Sequence, residues 1–351
     1  MDLGFPIIEF SPQQSTRAWG EMHGEQFREA IKELAEVRLG LINYHFPDFD
    51  RSQGELFSRL QFEATKFYSP ELYLELRGIM RGAGISLLEL VVLNNYTDFR
   101  DLLIPEQGCS TLALKREGRT LAGFTWDMHG SAQEYAAVLK IPVGDKFSYV
   151  FTVAGCVGMA GFSAHRTMCA INNLYTWKAE PSVMWPVVVR SFLQAENLAE
   201  MKQVLAKVGI GSGRNYLIAD KKGAAMYEVC PGKKELVNDL TKSEEVFHTN
   251  HCITEAVKAQ EITEKLSTTT HARYELLEEL APKAKSLDEL KQLLASHQGY
   301  PKSICVHASA SSFDPSKTCA AACGDLESGE VLAWRGCDKI DLKKVEHKFK
   351  L

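Results

Sequence analysis

The strongest constraint on the fold is a change of hydrophobic period about a third of the way along the chain. From Ser11 to about Phe99 apolar residues such as Phe27, Ile31, Leu34 and Ile42 recur at helical spacing. From Cys109 onward the apolar runs are short and strand-like: "STLAL" and "TLAGFTW" flank the hairpin signal "KREGR", and "AAVLKI" and "FSYVFTV" flank "PVGDK". "MCAINNLY" predicts a further strand, and helices are predicted near 182–195 and 198–208. Strands then return in "NYLIAD", "GAAMYEVC" and "VFHTNHC". Helices near 268–280 and 287–297 precede closing strands in "SICVHAS", "TCAAACGDL" and "EVLAWRG". Helix starts are marked by Ser69 before Pro70 and by Ser or Asn with Glu three residues on, at Ser86/Glu89, Asn197/Glu200 and Ser286/Glu289. Gly82 and Gly84 are read as punctuation between two helices. This order is α+β, best served by antiparallel sheets with helices on their outer faces.

Charge and composition narrow the partners. Forty Lys and Arg against 45 Asp and Glu leave a net charge of -5 with no long block of one sign. No nucleic-acid footprint or membrane-attracting patch is expected, and a small molecule is the expected partner. "MDLGFPIIEFSPQQ" lacks the basic and apolar regions of a secretory signal, and the apolar "YVFTVAGCVGMAGF" is too short to span a bilayer, so a cytoplasmic protein is expected. Nine cysteines, an odd number with irregular spacing and no CxxC pair, read mostly as buried thiols.

Four segments gather reactive groups where strands are predicted to end: "EQGCST" (106–111), "FTWDMHG" (124–130), "AINNL" (170–174) and "FHTNHC" (247–252). Singly none decides. Taken alone, Cys109 reads first as a small core residue and Asp127 after Trp126 as a turn residue, while Asn172 reads equally as a turn-stabilising amide. His248, His251 and Cys252 cannot close a tetrahedral metal site by themselves, so no metal or other cofactor is expected. His129 and His165 read as loop residues.

Together, a Gly108-Cys109 junction, Asp127 eighteen residues on and Asn250 in "HTNHC" resemble the acyl-coenzyme A:6-aminopenicillanate (isopenicillin N) acyltransferase family, whose members are self-cleaving N-terminal nucleophile (Ntn) hydrolases. "EMHGEQFREAI", "RGIMRGAGISLLELVVLNNYTDF", "GCST", "WD", "GMAGFSA", "HTNHC" and "YPKSIC" occur in family order, so the resemblance covers nearly the whole chain. It implies a four-layer αββα sandwich. It also implies cleavage between Gly108 and Cys109, leaving a helical pro-segment of residues 1–108 bound to a catalytic fragment of residues 109–351. Cys109 would then be nucleophile and, through its new α-amine, base. Asp127 would orient that amine and Asn250 would donate to the oxyanion, with Asn172, His251 and Trp126 as further pocket residues. The implied substrate is a linear amide or thioester, an acyl-coenzyme A donor among them, and the enzyme would hydrolyse it or transfer its acyl group.

This chain departs from the family pattern at Gln107, where relatives commonly carry Asp. Val306 and His307 stand where the penicillin-making enzyme has an Arg after Ser-Ile-Cys, and Arg166 stands where relatives have a turn glycine, so that loop is expected to differ. His307 reads as a surface or sheet histidine. Two other readings remain open: an unprocessed Cys-His hydrolase pairing Cys109 with His129 or His251, and a non-catalytic binding protein on the same fold.

Overall fold

A computed structural model describes residues 5–100, 108–177, 179–267, 269–307, 314–341 and 344–351. The first third forms five helices, α1 (Thr16–Gln26), α2 (Arg28–His45), α3 (Arg51–Tyr68), α4 (Pro70–Ala83) and α5 (Leu87–Arg100). Ser69 Oγ accepts from Leu72 N at the start of α4, and Ser86 and Glu89 exchange hydrogen bonds at the start of α5, as their spacing predicts. Gly84, with φ of 69°, ends α4. Gly82, by contrast, is not punctuation. It lies within α4, where a Cβ would come within 2.3 Å of Glu21 O; one on Gly20 of α1 would come within 1.9 Å of Glu75 O. Bare glycine faces are what let these two helix backbones touch.

The opening residues are extended rather than part of the helical segment. Ile7–Glu9 form β1, which pairs in parallel with β4 (Ala136–Val143). Among the described residues the strands make two sheets. In the larger, β1 and β4 are followed by β5 (Lys146–Val153), β6 (Ala160–Phe162), β7 (Met168–Asn173), β8 (Arg214–Asp220), β9 (Gly223–Cys230) and β10 (Lys233–Asp239), all antiparallel after the first pair. The smaller runs in the order β11 (Glu245–His248), β2 (Thr111–Arg116), β3 (Arg119–His129), β12 (Ser316–Asp325), β13 (Glu330–Arg335) and β14 (Val345–Lys350). Glu117 and Gly118 both have positive φ in the two-residue β2–β3 turn, the backbone that a right-twisted hairpin favours.

Alternation along the central strands explains the layers. Leu112, Leu114 and Leu121 pack with Leu277, Leu290 and Leu294 of α9 (Thr270–Leu280) and α10 (Leu287–Leu294). Their neighbours Ala113 and Ala122 face the core shared with the larger sheet, and their small size lets β2 and β3 approach β7 and β8. On the far side α6 (Trp185–Gln194) and α7 (Leu198–Lys207) cover the larger sheet, while the short α8 (Glu255–Lys258) lies near β9 and β10. This is the four-layer αββα sandwich of antiparallel sheets.

Several expectations need correcting. Residues 303–307 of "SICVHAS", the part that is described, are not a strand, because Val306 makes one reciprocal contact with Thr318 (Val306 N to Thr318 Oγ1 2.8 Å, Thr318 N to Val306 O 2.9 Å) and Cys305 N instead bonds Ser296 O. β10, charged and without clean alternation, and β14, which alternates but carries Glu346, Lys348 and Lys350 on its outer face, have no counterpart in the sequence reading. Arg166 itself adopts φ of 65°, the conformation a turn glycine would take, so its loop keeps that backbone.

Residues before 109 are tied to those after it by buried charge. Glu75 of α4 pairs bidentately with Arg190 of α6 at 2.9 and 3.0 Å. Asp98 of α5 pairs with Arg214 of β8 at 2.6 Å. His23 of α1 accepts from Gly155 N at 3.0 Å, and burial, helped by Arg190, pushes its pKa down to about 3. A histidine kept neutral in the fold stabilises it above the unfolded value near 6.5 and loses that contribution as pH falls towards 3. Each unit is worth about 1.4 kcal/mol, so thermal melts of the wild type should drop steeply between these limits. His23→Gln, which keeps an acceptor but cannot titrate, should show a shallower decline.

Candidate active site

The smaller sheet brings the three principal residues together by strand direction alone. β11 ends, β2 begins and β3 nears its end at the same edge: His248 pairs with Thr111, Thr111 with Phe124, and Asp127 follows three residues later. Cys109 precedes β2, and Asn250 follows β11. Asp127 lies inside β3 rather than at its end. It is aimed by a bulge in β12, where the register shifts between Thr318 and Ala320. Thr318 Oγ1 donates to Asp127 Oδ1 at 2.6 Å. Asp127 Oδ2 has no hydrogen-bond partner among the described residues.

Cys109 N donates to Asn250 Oδ1 at 2.7 Å. Asn250 Nδ2 donates to Asn173 O at 3.0 Å, and its second N–H has no partner among the described residues. The orientation of this amide follows from Arg273, a pure donor, whose Nη2 also reaches Oδ1 at 2.9 Å. The loop carrying Asn250 is fixed from both sides. Thr249 Oγ1 donates to Thr270 O, Asn250 N donates to Thr270 Oγ1, and His248 Nε2 pairs with buried Glu228 at 2.9 Å.

Arg273, absent from the sequence reading, occupies the middle of the site. It rises from the first turn of α9, fully buried. Its Nη1 donates to Cys109 O at 2.8 Å and to Ser110 Oγ at 3.1 Å. Burial pushes Asp127 up to about 6, opposed by the nearby Arg273 charge and by hydrogen bonds from Thr318 and Thr125. The only available sequence signal was a basic residue early in a helix near "HTNHC", too common to single out. Gly108 lies against the same guanidinium, and a Cβ there would fall 2.2 Å from Arg273 Nη2 and 3.2 Å from Asn250 Oδ1.

Cys109 and Asp127 line an apolar cavity of about 850 Å³, open mouth included. Phe124, Trp126, Phe151 and Trp185 supply much of its wall, and Arg38, Leu93 and Tyr96 reach it from the N-terminal helices. Trp126 and Asn250 are therefore at the cavity as expected. Asn172 is not. Its Nδ2 donates to Cys109 O and His248 O, and its Oδ1 accepts from Thr111 Oγ1 and Asn215 Nδ2, so all four of its hydrogen-bonding positions are used beneath the nucleophile. The neighbouring Asn173 lines the cavity instead.

No histidine lines the cavity among the described residues. His129 faces Ser131 and Asp314, and His251 sits beside Thr249, Thr270 and His271. Burial, then His248 and His271, hold His251 down to about 4, so it is neutral at physiological pH. Gln107 lies outside the described residues.

Residues 114–328, more than half of the chain, match the family model described as acyl-coenzyme A:6-aminopenicillanic acid acyl-transferase. The chain belongs to this acyltransferase family. Among its curated relatives is the 40 kDa form of the acyl-coenzyme A:6-aminopenicillanic-acid-acyltransferase of Emericella nidulans, 25% identical over 294 residues, or 82% of this chain and 81% of that one. Two solved structures align more distantly. A mutant of the conjugated bile acid hydrolase from Clostridium perfringens is 12% identical, with a TM-score of 0.48 over 69% of this chain and 92% of its own. The Caenorhabditis elegans N-acylethanolamine-hydrolyzing acid amidase ortholog is 11% identical, with a TM-score of 0.45 over 62% and 93%. Acyl transfer is the activity that the family's description names.

No helix among the described residues is long and apolar enough to cross a membrane. Replacing Arg273 by Met should leave Cys109 O and Asn250 Oδ1 without their charged donor and should raise the Asp127 pKa above its present value. Denaturant unfolding should report a loss of roughly 2–5 kcal/mol.

Proposed function

We propose that the protein is a self-processing amidohydrolase or acyltransferase that cuts its own Gly108–Cys109 bond and then works through a Cys109 acyl-enzyme. The supporting observation is that Cys109 N, the atom that would become the α-amine, is held by Asn250 Oδ1 against an apolar cavity that Cys109, Asn250 and Asp127 all line.

In the first step the Cys109 thiol adds to the Gly108 carbonyl carbon. The C–N bond breaks, the amine gains a proton, and the resulting thioester is hydrolysed by water to release residues 1–108 as a separate but still bound fragment. Gly108 suits this step because a side chain there would collide with Arg273. An α-amine with a pKa of about 7.7–8.0 then takes the thiol proton. The thiolate attacks the substrate carbonyl, and the unspent N–H of Asn250 stabilises the oxyanion. The ammonium returns a proton to the departing amine or thiol, and water or a second amine takes the acyl group from sulfur. Ionised Asp127 holds the ammonium through Oδ2. Cavity walls of Phe124, Trp126, Phe151 and Trp185 favour an apolar acyl group, carried on a small amine or on a thioester such as an acyl-coenzyme A.

Intact-mass measurement is the direct test. Purified wild type should yield a fragment that begins at Cys109, whereas Cys109→Ala and Gly108→Ala should stay whole. A whole, uncut chain that turns over N-acyl substrates would overturn the terminal-amine mechanism. Activity should fall as pH is lowered through about 6, where Asp127 takes up its proton. Asp127→Asn should remove that limb and slow turnover by about 10²–10⁴-fold. Asn250→Ala should cost about 10²–10³ in kcat. His129→Ala and His251→Ala should retain activity; a collapse in either would favour an unprocessed Cys-His pair.

A further inference from the structure

Four side chains far apart in sequence converge on one point outside the cavity. His297 follows α10, Cys305 and His307 lie on the segment leading to β12, and Cys337 follows β13. Their donor atoms all lie within 4.8 Å of one another, and among the described residues no other group of three or more such side chains does so. His297 Nε2 is 3.0 Å from His307 Nε2 and 3.2 Å from Cys337 Sγ. His307 Nε2 is 3.3 Å from Cys337 Sγ and 3.6 Å from Cys305 Sγ. His307 is thus neither a surface nor a sheet histidine: it and both cysteines are buried, and His297 is half-buried.

Hydrogen bonds are pairwise and directed along one proton. They do not account for two imidazole nitrogens and two sulfurs all turned to a common centre. A central cation does. A tetrahedral zinc with Zn–N of about 2.0–2.1 Å and Zn–S of about 2.3 Å has ligand-to-ligand edges of roughly 3.3–3.8 Å. The four distances above match those edges to within a few tenths of an ångström. Two thiolates would also neutralise the ion's charge.

We propose that His297, Cys305, His307 and Cys337 form a structural zinc site. With four protein ligands it leaves no position for substrate or water, so its role is mechanical. It joins the end of α10, the 305–307 segment and the exit of β13. Val306, between two of the ligands, bonds Thr318 in both directions, and Thr318 Oγ1 donates to Asp127. The metal would thereby hold the segment that supports Thr318. Lys339 N donates to Cys337 Sγ at 3.5 Å, the kind of backbone contact that supports a thiolate ligand.

Elemental analysis of the full-length protein, expressed with zinc in the medium, should find one zinc per chain. Cys109→Ala should keep it, while Cys305→Ser, Cys337→Ser and His297→Ala should lose most of it. Because a ligand variant can fail to fold, wild-type protein stripped of metal should also be titrated with cobalt(II). Tetrahedral visible bands with a thiolate charge-transfer band are expected, and zinc should displace them. Absence of both zinc and cobalt uptake, loss of metal in Cys109→Ala, or a Cys305–Cys337 disulfide in non-reducing peptide maps would each overturn the proposal.

Discussion

The buried guanidinium of Arg273 is the contact on which the site depends. It reaches the carbonyl of Cys109, the hydroxyl of Ser110 and the amide oxygen of Asn250 at once, and its charge bears on Asp127. A cation so enclosed is costly unless each of its donors is used. That requirement locks the segment before β2 and the loop after β11 into one geometry beside Asp127 of β3. It also places glycine at 108, since any larger residue would compete for the same space. The position of the nucleophile and the residue that precedes it therefore share one physical cause.

A chain cut at residue 108 would need its two parts to stay together without a covalent link, and the contacts across that boundary are suited to this. The buried Glu75–Arg190 and Asp98–Arg214 pairs each have one partner on either side, and β1 completes the edge of the larger sheet beside β4. Separation would expose apolar helix faces and leave four charges without their partners. Such pairs are weak evidence for net stability, but breaking one is expensive, which makes them effective at fixing the register of two pieces. The cavity is composite for the same reason: Arg38, Leu93 and Tyr96 line it from before the junction, and Cys109, Trp126 and Asp127 from after it.

What the sequence disclosed follows from the range of each signal. Capping boxes at Ser86 and Ser286, the N-cap at Asn197, and the positive-φ turn at Glu117-Gly118 are local chemistry and were legible as they stand. So was the change of period at Cys109. Gly82 misled because a glycine that breaks a helix and one that lets two helices touch look alike until the partner, Gly24, is known to lie opposite. Asn172 and Asn173 are adjacent on β7, and alternation says that only one can take a given face, but not which. Arg273 and the cluster of His297, Cys305, His307 and Cys337 could not be read at all. Their meaning comes from long-range packing, and residues 303–307, which carry two of those ligands, have a strand's composition without a strand's pairing.

The bulge in β12 connects the two halves of this picture. Thr318 faces Asp127 in the β3 register, while its backbone N–H turns to Val306 O. A carboxylate buried this deeply would ordinarily take up a proton well above its usual range, and the Thr318 hydroxyl and Arg273 oppose that tendency from opposite sides. One of these supports comes from α9 and the other from the segment after residue 303. Both arrive late in the chain. The N-terminal helices and both sheets shape the cavity wall, while α9 and β12 supply the groups that bear on the charge of Asp127.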